Sequence, residues 1–390
     1  MPSLPCGMHL GTPNMMVRSQ TYERILIVKL SAIGDIIHTL PAVAALRQAY
    51  PQAWLAWIVE NTGANLLRGN PDIDELITVD TRAWRANWWV GLRHVWYVTR
   101  HLRQAGFELC IDFQGLFKSS LVAYFSGAPM RLGFPRQRCR EPLSAVLTNL
   151  HGPISDPNTH VVEQLIALLQ PLGITTAERC FTIPMSAADE HFAARVWREL
   201  GLTAGVPVVV LNPGATWETK RWGELNFARL NDALIRRYQV RTLLTWGPGE
   251  EPLIQRVVRA TTYTPAIAPA TTLLQLAALL SRCSVFVGGD TGPLHLAAAV
   301  GTPTVALFGP SNPRRNGPYG SGHVILHRQL PCSHCYQRSC NHWECLPGIE
   351  VEMVVQAVGR LLEKDKLDGS ARDSRDSVAP TRDLHRRSRL

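Results

Sequence analysis

The chain has 390 residues, more than one hydrophobic core normally serves, so two domains are expected. Hydrophobic residues make up 46% of it and charged residues 18%, as in ordinary globular proteins, and no apolar run approaches the roughly 18 residues of a membrane-spanning helix. The formal net charge of +9 is spread along the chain. This spread argues against a nucleic-acid-binding protein and favours an acidic small substrate or an anionic membrane surface as the partner.

The ends of the chain and its cysteines point to the cytoplasm. Residues 1–21 lack a continuous apolar core behind a basic start, so they are predicted to be a flexible leader and not a signal peptide. Most of the nine cysteines stand alone within apolar stretches, which indicates reduced thiols. Residues 365–390 mix Arg, Asp and Ser without apolar periodicity and are predicted to be a disordered tail.

The first half alternates short apolar runs with amphipathic segments. Strands are predicted at residues 24–30, 54–59, 73–79 and 108–112, and helices at 36–50, 89–105 and 158–172. Pro41 lies inside the first of these helices, which therefore either begins near Thr39 or kinks. The alternation predicts a doubly wound α/β domain over residues 22–185.

The same alternation restarts at Pro207 and predicts a second domain over residues 186–348. Its strands are predicted at 208–211, 242–246, near 266, at 285–287 and at 304–308, with helices at 223–238, 251–260 and 273–281. A further helix is bounded by Pro293 and Gly301, residue types favoured at a helix start and just past a helix end. An amphipathic C-terminal helix is predicted over residues 349–364.

Ligands of open parallel sheets bind beyond the carboxyl ends of the strands, so two such domains are expected to face each other across a cleft. The unusual polar residues fall in the loops predicted there, at residues 31–35, 212–220, 247–251 and 288–292. The helix after Gly292 points its free N–H groups and positive dipole end out of the sheet, which suits a phosphate. A phosphate-bearing ligand is therefore predicted.

Each candidate residue has a structural alternative. Asp35 could act as a base at the mouth of the cleft or simply cap a helix. Thr216 and Lys220 could close on phosphate oxygens or belong to a solvated loop. His295 could contact a ligand or support the helix, and Glu251 could accept from ribose hydroxyls or lie on the surface. The glycine loops match neither the dinucleotide fingerprint nor the Walker pattern, so neither a nicotinamide enzyme nor an ATPase is supported.

Five motifs in this order resemble the ADP-heptose:lipopolysaccharide heptosyltransferases, glycosyltransferase family 9. The resemblance runs from Arg24 to about Lys364, and its motifs are residues 27–41 (IVKLSAIGDIIHTLP), 112–118 (DFQGLFK), 140–142 (REP), 212–222 (NPGATWETKRW) and 288–295 (GGDTGPLH). The second and third motifs are most similar to the heptosyltransferase I branch. The resemblance implies a GT-B fold of two Rossmann-like domains, with the acceptor in the N-terminal domain and the nucleotide sugar in the C-terminal domain.

The resemblance also implies a role for each candidate. Asp35 matches the family's proposed general base, Lys220 the lysine that neutralises the diphosphate leaving group, Thr216 the hydroxyl beside it and Glu251 the acid at the ribose. The donor-binding helix start is matched by Asp290, Thr291, Gly292 and His295. Ala215 stands where the heptosyltransferase I branch has a second threonine, and Thr271 where it has a methionine near the adenine. The resemblance therefore implies phosphate binding more securely than a preference for adenine.

The reaction implied is an inverting transfer of heptose from ADP-heptose to Kdo-lipid A, needing no cofactor and no catalytic metal, at the cytoplasmic face of the inner membrane. The alternatives are heptosyltransferase II, another acceptor or sugar donor, and a sugar-nucleotide-binding protein without turnover. Lys118, Arg136, Arg138 and Arg140 are candidates for the acidic acceptor or are solvated. The stretch formed by Arg82, Trp84, Trp88 and Trp89 could touch the membrane interface or acceptor, or pack in the core.

A late cluster contains Cys332, Cys335, Cys340 and Cys345, with two histidines between them. The first pair has the spacing of a metal knuckle, whereas the later intervals are irregular. The alternatives are a structural zinc site and reduced or partly paired thiols.

Overall fold

The computed structural model describes residues 21–80, 88–175, 177–202 and 205–376. They form two α/β halves, each built on a six-stranded parallel sheet. The predicted architecture of two doubly wound domains is confirmed. None of the described helices is long and apolar enough to cross a membrane.

The first sheet has the order β3-β2-β1-β4-β5-β6. Its strands are β1 (Arg24–Val28), β2 (Trp54–Glu60), β3 (Glu75–Val79), β4 (Leu109–Asp112), β5 (Met130–Gly133) and β6 (Leu150–His151). The helices of this half are α1 (Ile33–Ala49), α2 (Asn61–Leu67), α3 (Trp88–Ala105), α4 (Phe117–Phe125) and α5 (Val161–Ala167), with 3₁₀ turns at Pro142–Val146 and Gln170–Leu172.

The second sheet has the order β12-β11-β10-β7-β8-β9, which repeats the topology of the first. Its strands are β7 (Val208–Asn212), β8 (Arg241–Leu244), β9 (Ala266–Ile267), β10 (Val285–Gly289), β11 (Thr304–Phe308) and β12 (Val324–His327). The helices are α6 (Ala187–Glu199), α7 (Glu224–Tyr238), α8 (Glu251–Arg259), α9 (Leu273–Leu280), α10 (Gly292–Ala299), α11 (Pro313–Asn316) and α12 (Val351–Asp376), with a 3₁₀ turn at Glu218–Lys220.

The strands follow from their composition. The central strands β1, β4, β7, β10 and β11 are almost continuously apolar and nearly all of their residues are buried, as expected for parallel strands covered by helices on both faces. The short strands β5, β6 and β12 have no counterpart among the predicted strands. The sequence pattern thus identifies every strand of each half except the last ones.

Two helix boundaries differ from the prediction. The first helix begins at Ile33, before Thr39, and runs through Pro41 to Ala49. The hydroxyl of Thr39 donates to the carbonyl of Asp35 at 2.7 Å, so Thr39 bonds back along the helix and does not cap it. The last helix continues to Asp376, twelve residues past the predicted end at Lys364.

The order of each sheet reverses next to its first strand, between β1 and β4 and between β7 and β10. Such a switch point leaves a crevice at the carboxyl edge of a doubly wound sheet, where ligands bind. The segments that follow these four strands carry Asp35, Gln114, Lys220 and Asp290. The topology therefore brings the motifs, which are far apart in sequence, to two crevices.

Candidate functional site

Two helix N-termini, one from each domain, lie against each other at the cleft. A Cβ atom added to Gly34 in the first turn of α1 would lie 2.7 Å from Cδ2 of His295 in α10. One added to Gly292 would lie 2.9 Å from Cγ2 of Ile33. Only glycine permits this approach without a shift. The free N–H groups and positive dipole ends of both helices are thereby gathered at one place, which suits an anionic ligand.

Asp35 is the third residue of α1 and is half-buried. Its Oδ2 accepts a hydrogen bond from the backbone N–H of Ala32 at 3.3 Å, so the capping alternative is present in the structure. A long bond to one carboxylate oxygen leaves the side chain able to accept a second proton donor at the cleft. Capping and base chemistry are therefore compatible, and the role as base stays a prediction.

Gln114, from the DFQG motif, shapes the loop that leads to Asp35. Its Oε1 accepts from the backbone N–H groups of Leu30 and Ser31 at 2.8 and 3.3 Å, and its Nε2 donates to the carbonyl of Ser31 at 2.8 Å. The buried carboxylate of Asp112 supports Gln114 in turn by accepting from its backbone N–H at 2.9 Å. The side-chain amide of Gln114 thus pairs backbone groups of a loop that has no neighbouring strand to bond them. Sequence reasoning assigned no role to Gln114.

Lys220 lies against Asp290 across the second crevice. Its Nζ donates to Oδ2 of Asp290 at 2.7 Å and to the backbone carbonyl of Asp290 at 3.0 Å. The ammonium also stands 4.6 Å from the centre of the Trp217 ring. An ammonium has three protons, so among the hydrogen bonds of the described residues one proton is left for a ligand. The predicted pair of phosphate contacts, at Lys220 and at the start of α10, is brought together.

Asp290 is buried and bound from two sides. Oδ1 accepts from Nε2 of His295 at 3.1 Å while Oδ2 accepts from Lys220. Burial alone would raise the pKa of Asp290, but the hydrogen bond from His295 and the charge of Lys220 outweigh it and hold the pKa well below its usual range. Asp290 is therefore an anchored carboxylate that fixes both partners, and the support role considered for His295 is present in the structure.

His295 also reaches the other domain. Its Nδ1 lies 3.2 Å from Nε2 of His38, a residue of α1 that is only 3% exposed. Burial, and then the neighbouring His295 and His160, hold the pKa of His38 well below its usual value, so its ring is neutral at neutral pH. Sequence reasoning missed His38 because an isolated histidine within an apolar helix gives no sign of a partner 257 residues away.

The other donor candidates lie at the carboxyl edge of the second sheet. Ala215 is buried and its carbonyl accepts from Nε of Arg221 at 2.9 Å, whereas Thr216 is exposed. Thr291 precedes α10 as its N-cap residue. Thr271 follows β9 and is half-buried. Thr216 and Thr291 therefore follow the two strands that flank the crevice, β7 and β10, whereas Thr271 follows the edge strand β9.

Glu250, and not Glu251, lies against the loop after β7. Glu251 is the exposed first residue of α8. Oε2 of Glu250 accepts from the backbone N–H of Gly247 at 2.8 Å, and a Cβ added to Gly214 would lie 2.1 Å from that oxygen. The role of Glu251 at a ribose stays a prediction, and Glu250 is the carboxylate that lies beside the loop after β7.

The basic candidates lie on α4 and in the segment after β5, and Phe117 of α4 contacts that segment by donating its backbone N–H to Glu141 at 2.6 Å. Lys118 binds Glu60 at 3.2 Å, with 43% of its side chain exposed. Arg136 and Arg140 are exposed in the segment after β5, while Nε of Arg138 is buried without a hydrogen-bond partner among the described residues. Arg82 and Trp84 lie outside the described residues, as do the side chains of Trp88 and Trp89.

The cysteine-rich segment packs against the loop that follows β7, residues 213–223. The hydroxyl of Thr219 donates to the carbonyl of Gln337 at 2.7 Å, and Arg338 stacks on Trp217 at 5.1 Å. Cys332, Cys335, Cys340 and Cys345 are free thiols. Within the described residues no group of three or more His, Cys, Asp or Glu side chains could hold a metal ion. Cys332, Cys335, Cys340 and Cys345 nevertheless line one small cavity together with His342, and the choice between a structural zinc site and reduced thiols stays a prediction.

Known proteins share this sequence and architecture. The sequence profile of glycosyltransferase family 9 (heptosyltransferase) matches residues 95–345. Lipopolysaccharide heptosyltransferase 1 of Pseudomonas aeruginosa is 33% identical over 82% of this chain and 88% of its own length. The namesake from Escherichia coli K12 is 29% identical over 77% of this chain and 92% of its own length.

Solved structures of other proteins superpose on this one. A family 9 glycosyltransferase from Veillonella parvula superposes with a TM-score of 0.78 at 25% identity, covering 88% of this chain and 98% of its own. The structure titled E. coli heptosyltransferase WaaC with ADP gives a TM-score of 0.69 at 26% identity, covering 87% and 99%. Since the family profile spans well over half of the chain and the Pseudomonas relative exceeds 30% identity, this protein belongs to glycosyltransferase family 9, the heptosyltransferases.

Proposed function

We propose that this glycosyltransferase moves heptose from ADP-heptose to the Kdo residue of the lipid A–Kdo inner core. The observation that carries the proposal is the meeting of α1 and α10 at Gly34 and Gly292, which sets Asp35 of one domain opposite the Lys220–Asp290 pair of the other. A base on one side and a cation with a helix end on the other are what displacement of a diphosphate requires. The relatives named for heptosyltransferase 1 support the choice of substrates.

The mechanism follows from the charges. Asp35 takes the proton of the acceptor hydroxyl as the oxygen attacks the anomeric carbon, and direct displacement inverts that centre. Negative charge grows on the departing phosphate oxygens, where Lys220 and the N-terminus of α10 stabilise it. Asp290 keeps the Lys220 side chain extended toward the crevice, so no reorganisation is needed when the charge develops.

A donor-release assay tests the substrates. ADP-heptose is offered with Kdo-bearing and with heptose-bearing lipid A acceptors, and release of ADP is measured. We expect release only with the Kdo-terminated acceptor. Release only with the heptose-terminated acceptor would instead assign heptosyltransferase II, to which the chain is also similar, and ADP binding without release with any acceptor would leave a sugar-nucleotide-binding protein.

We also propose that the enzyme works in contact with the cytoplasmic face of the inner membrane, through an aromatic face on α3 and α4. Its large exposed side chains are Trp96, Tyr97, Tyr124 and Phe125, which are 62%, 66%, 49% and 38% exposed. Arg100 lies 5.3 Å from the Trp96 ring and Arg131 lies 5.6 Å from the Tyr124 ring. Aromatic rings paired with arginines suit the boundary between acyl chains and anionic headgroups.

Vesicle sedimentation tests this face. We expect Trp96→Ala with Tyr124→Ala to lower partition onto vesicles of anionic phospholipid by about tenfold, since each ring withdraws apolar area from water when it inserts. The matched control is Leu225→Ala in the second domain, whose side chain is 62% exposed and whose loss should leave partition unchanged. Equal partition of the aromatic variant and the wild type would contradict this assignment of the face, without touching the assignment of the reaction.

A further inference from the structure

His38 joins the two domains through a hydrogen-bonded chain. It lies three residues after Asp35 on α1, and its Nε2 is 3.2 Å from Nδ1 of His295 on α10. From His295 the chain continues to Oδ1 of Asp290 at 3.1 Å, and from Oδ2 of Asp290 to Nζ of Lys220 at 2.7 Å. Residues on α1 are thus linked to the ammonium at the donor crevice by three hydrogen bonds.

The acceptors in this chain determine where its protons lie. Asp290 is a carboxylate, so His295 must donate to it from Nε2, and the Nδ1 of a neutral His295 is then an acceptor. His38 supplies the matching donor from its own Nε2. In this arrangement Nδ1 of His38 carries a lone pair without a donor. A buried acceptor without a donor costs less than a buried N–H without an acceptor. Asp290 and His38 therefore favour the same tautomer of His295, with the proton on Nε2.

The other ring nitrogen of His38, Nδ1, destabilises the fold. This atom is buried and has no hydrogen-bond partner among the described residues. The neighbouring His160, whose ring centre is 5.5 Å away, does not supply one, because its Nδ1 accepts from the N–H of Val162 and its Nε2 faces the carbonyl of Gly317. A buried polar atom left without a partner destabilises a fold, so stability alone would favour an apolar side chain at this position.

We propose that His38 is a positioning residue for the donor site: it holds His295 in the tautomer that anchors Asp290, and so keeps Lys220 at the donor phosphates while the domains are in contact. The inference rests on the proposed nucleotide-sugar donor. It assigns the N-terminal domain, which carries Asp35, a second task in binding the ligand of the C-terminal domain. Opening of the cleft would break the 3.2 Å bond between His38 and His295 and loosen the donor site.

Titration calorimetry with ADP tests the proposal. We expect His38→Leu to weaken ADP binding by about tenfold, the effect of losing one buried hydrogen bond, while the melting temperature changes by only a few degrees. The small change in stability is expected because the variant exchanges one unpaired nitrogen, on His38, for another, on His295. His38→Gln should come within about threefold of the wild type, since its amide N–H can reach the place of Nε2. His38→Asn, too short to reach it, should resemble the leucine variant.

Two controls separate positioning from support. His160→Leu removes an adjacent histidine that takes no part in the hydrogen bonds from His38 to Lys220. ADP affinity should be unchanged when it is measured well below the melting temperature of the variant. In a His295→Leu background the further change His38→Leu should alter ADP affinity by less than about twofold, because the chain is already broken. If His38→Leu fails to fold, the comparison of the Gln and Asn variants carries the test.

The outcomes are distinct. Wild-type affinity in His38→Leu, equal affinities in the Gln and Asn variants, or independent losses in the double variant would overturn the role of His38 and leave the proposed reaction intact. Failure of the wild type to bind ADP would overturn the proposed donor and this inference with it.

Discussion

Asp35→Asn is expected to lower kcat by about a thousandfold, the middle of the range for loss of a general base. The amide keeps an oxygen that can accept from the N–H of Ala32, so the cap on α1 survives while the ability to take a proton is lost. Affinity for ADP should stay within about twofold of the wild type, because the donor contacts lie on the other domain. Steady-state kinetics and calorimetry check the two parts. Asp35→Ala, which removes the cap as well, should be equally inactive and less stable.

The matched control for Asp35 is Asp189. It occupies the same third position of α6, where it accepts from the backbone N–H of Ser186 at 2.9 Å and from the Ser186 hydroxyl at 2.6 Å. Asp189→Asn should therefore lower stability at least as much as Asp35→Asn while leaving turnover unchanged. Substantial turnover by Asp35→Asn would show that Asp35 only caps its helix, and the base would have to be sought elsewhere in the cleft.

The fold could be predicted from the sequence because its central strands are unambiguous. Runs such as residues 208–212 are too apolar and too short for anything but buried parallel strands, and the helices between them fix the handedness and order of the sheet. Because the motifs follow the carboxyl ends of those strands, their place at the cleft can be predicted once the strands are known. The strands that escape prediction, β5, β6 and β12, are the last strands of the two halves, and β6, with two residues, is too short to show a strand pattern.

The contacts within the site could be predicted only in part. The resemblance pointed to Lys220 and Asp290 separately, but their ion pair depends on how the loops after β7 and β10 fold toward each other. The contact of Glu250 with the loop after β7 depends on the exact start of α8, which the local sequence pattern does not resolve. His38 depends on the packing of two domains, and no local signal in the sequence encodes that.

Lys220→Met is expected to lower kcat/KM by about two to three orders of magnitude, since it removes the cation that meets the growing charge of the leaving group. Both kcat and KM should change: ADP-heptose binds more weakly because its diphosphate already carries two negative charges, and kcat falls because the transition state carries more charge on those oxygens. Lys220→Arg keeps a charge but spreads it over a planar fork, so it should recover binding better than turnover. Kinetics and ADP titrations measure the split.

The ion pair with Asp290 offers a second explanation of any loss in Lys220→Met, namely that a buried carboxylate is left without its cation. The double variant Lys220→Met with Asp290→Asn separates the two. If Lys220 serves only to neutralise Asp290, removing both charges restores activity, because His295 can still bind the amide oxygen. If Lys220 stabilises the leaving phosphate, the double variant recovers its melting temperature and stays inactive. We expect the second result, because Asp290 uses two oxygens to hold an ammonium that still has a proton to give.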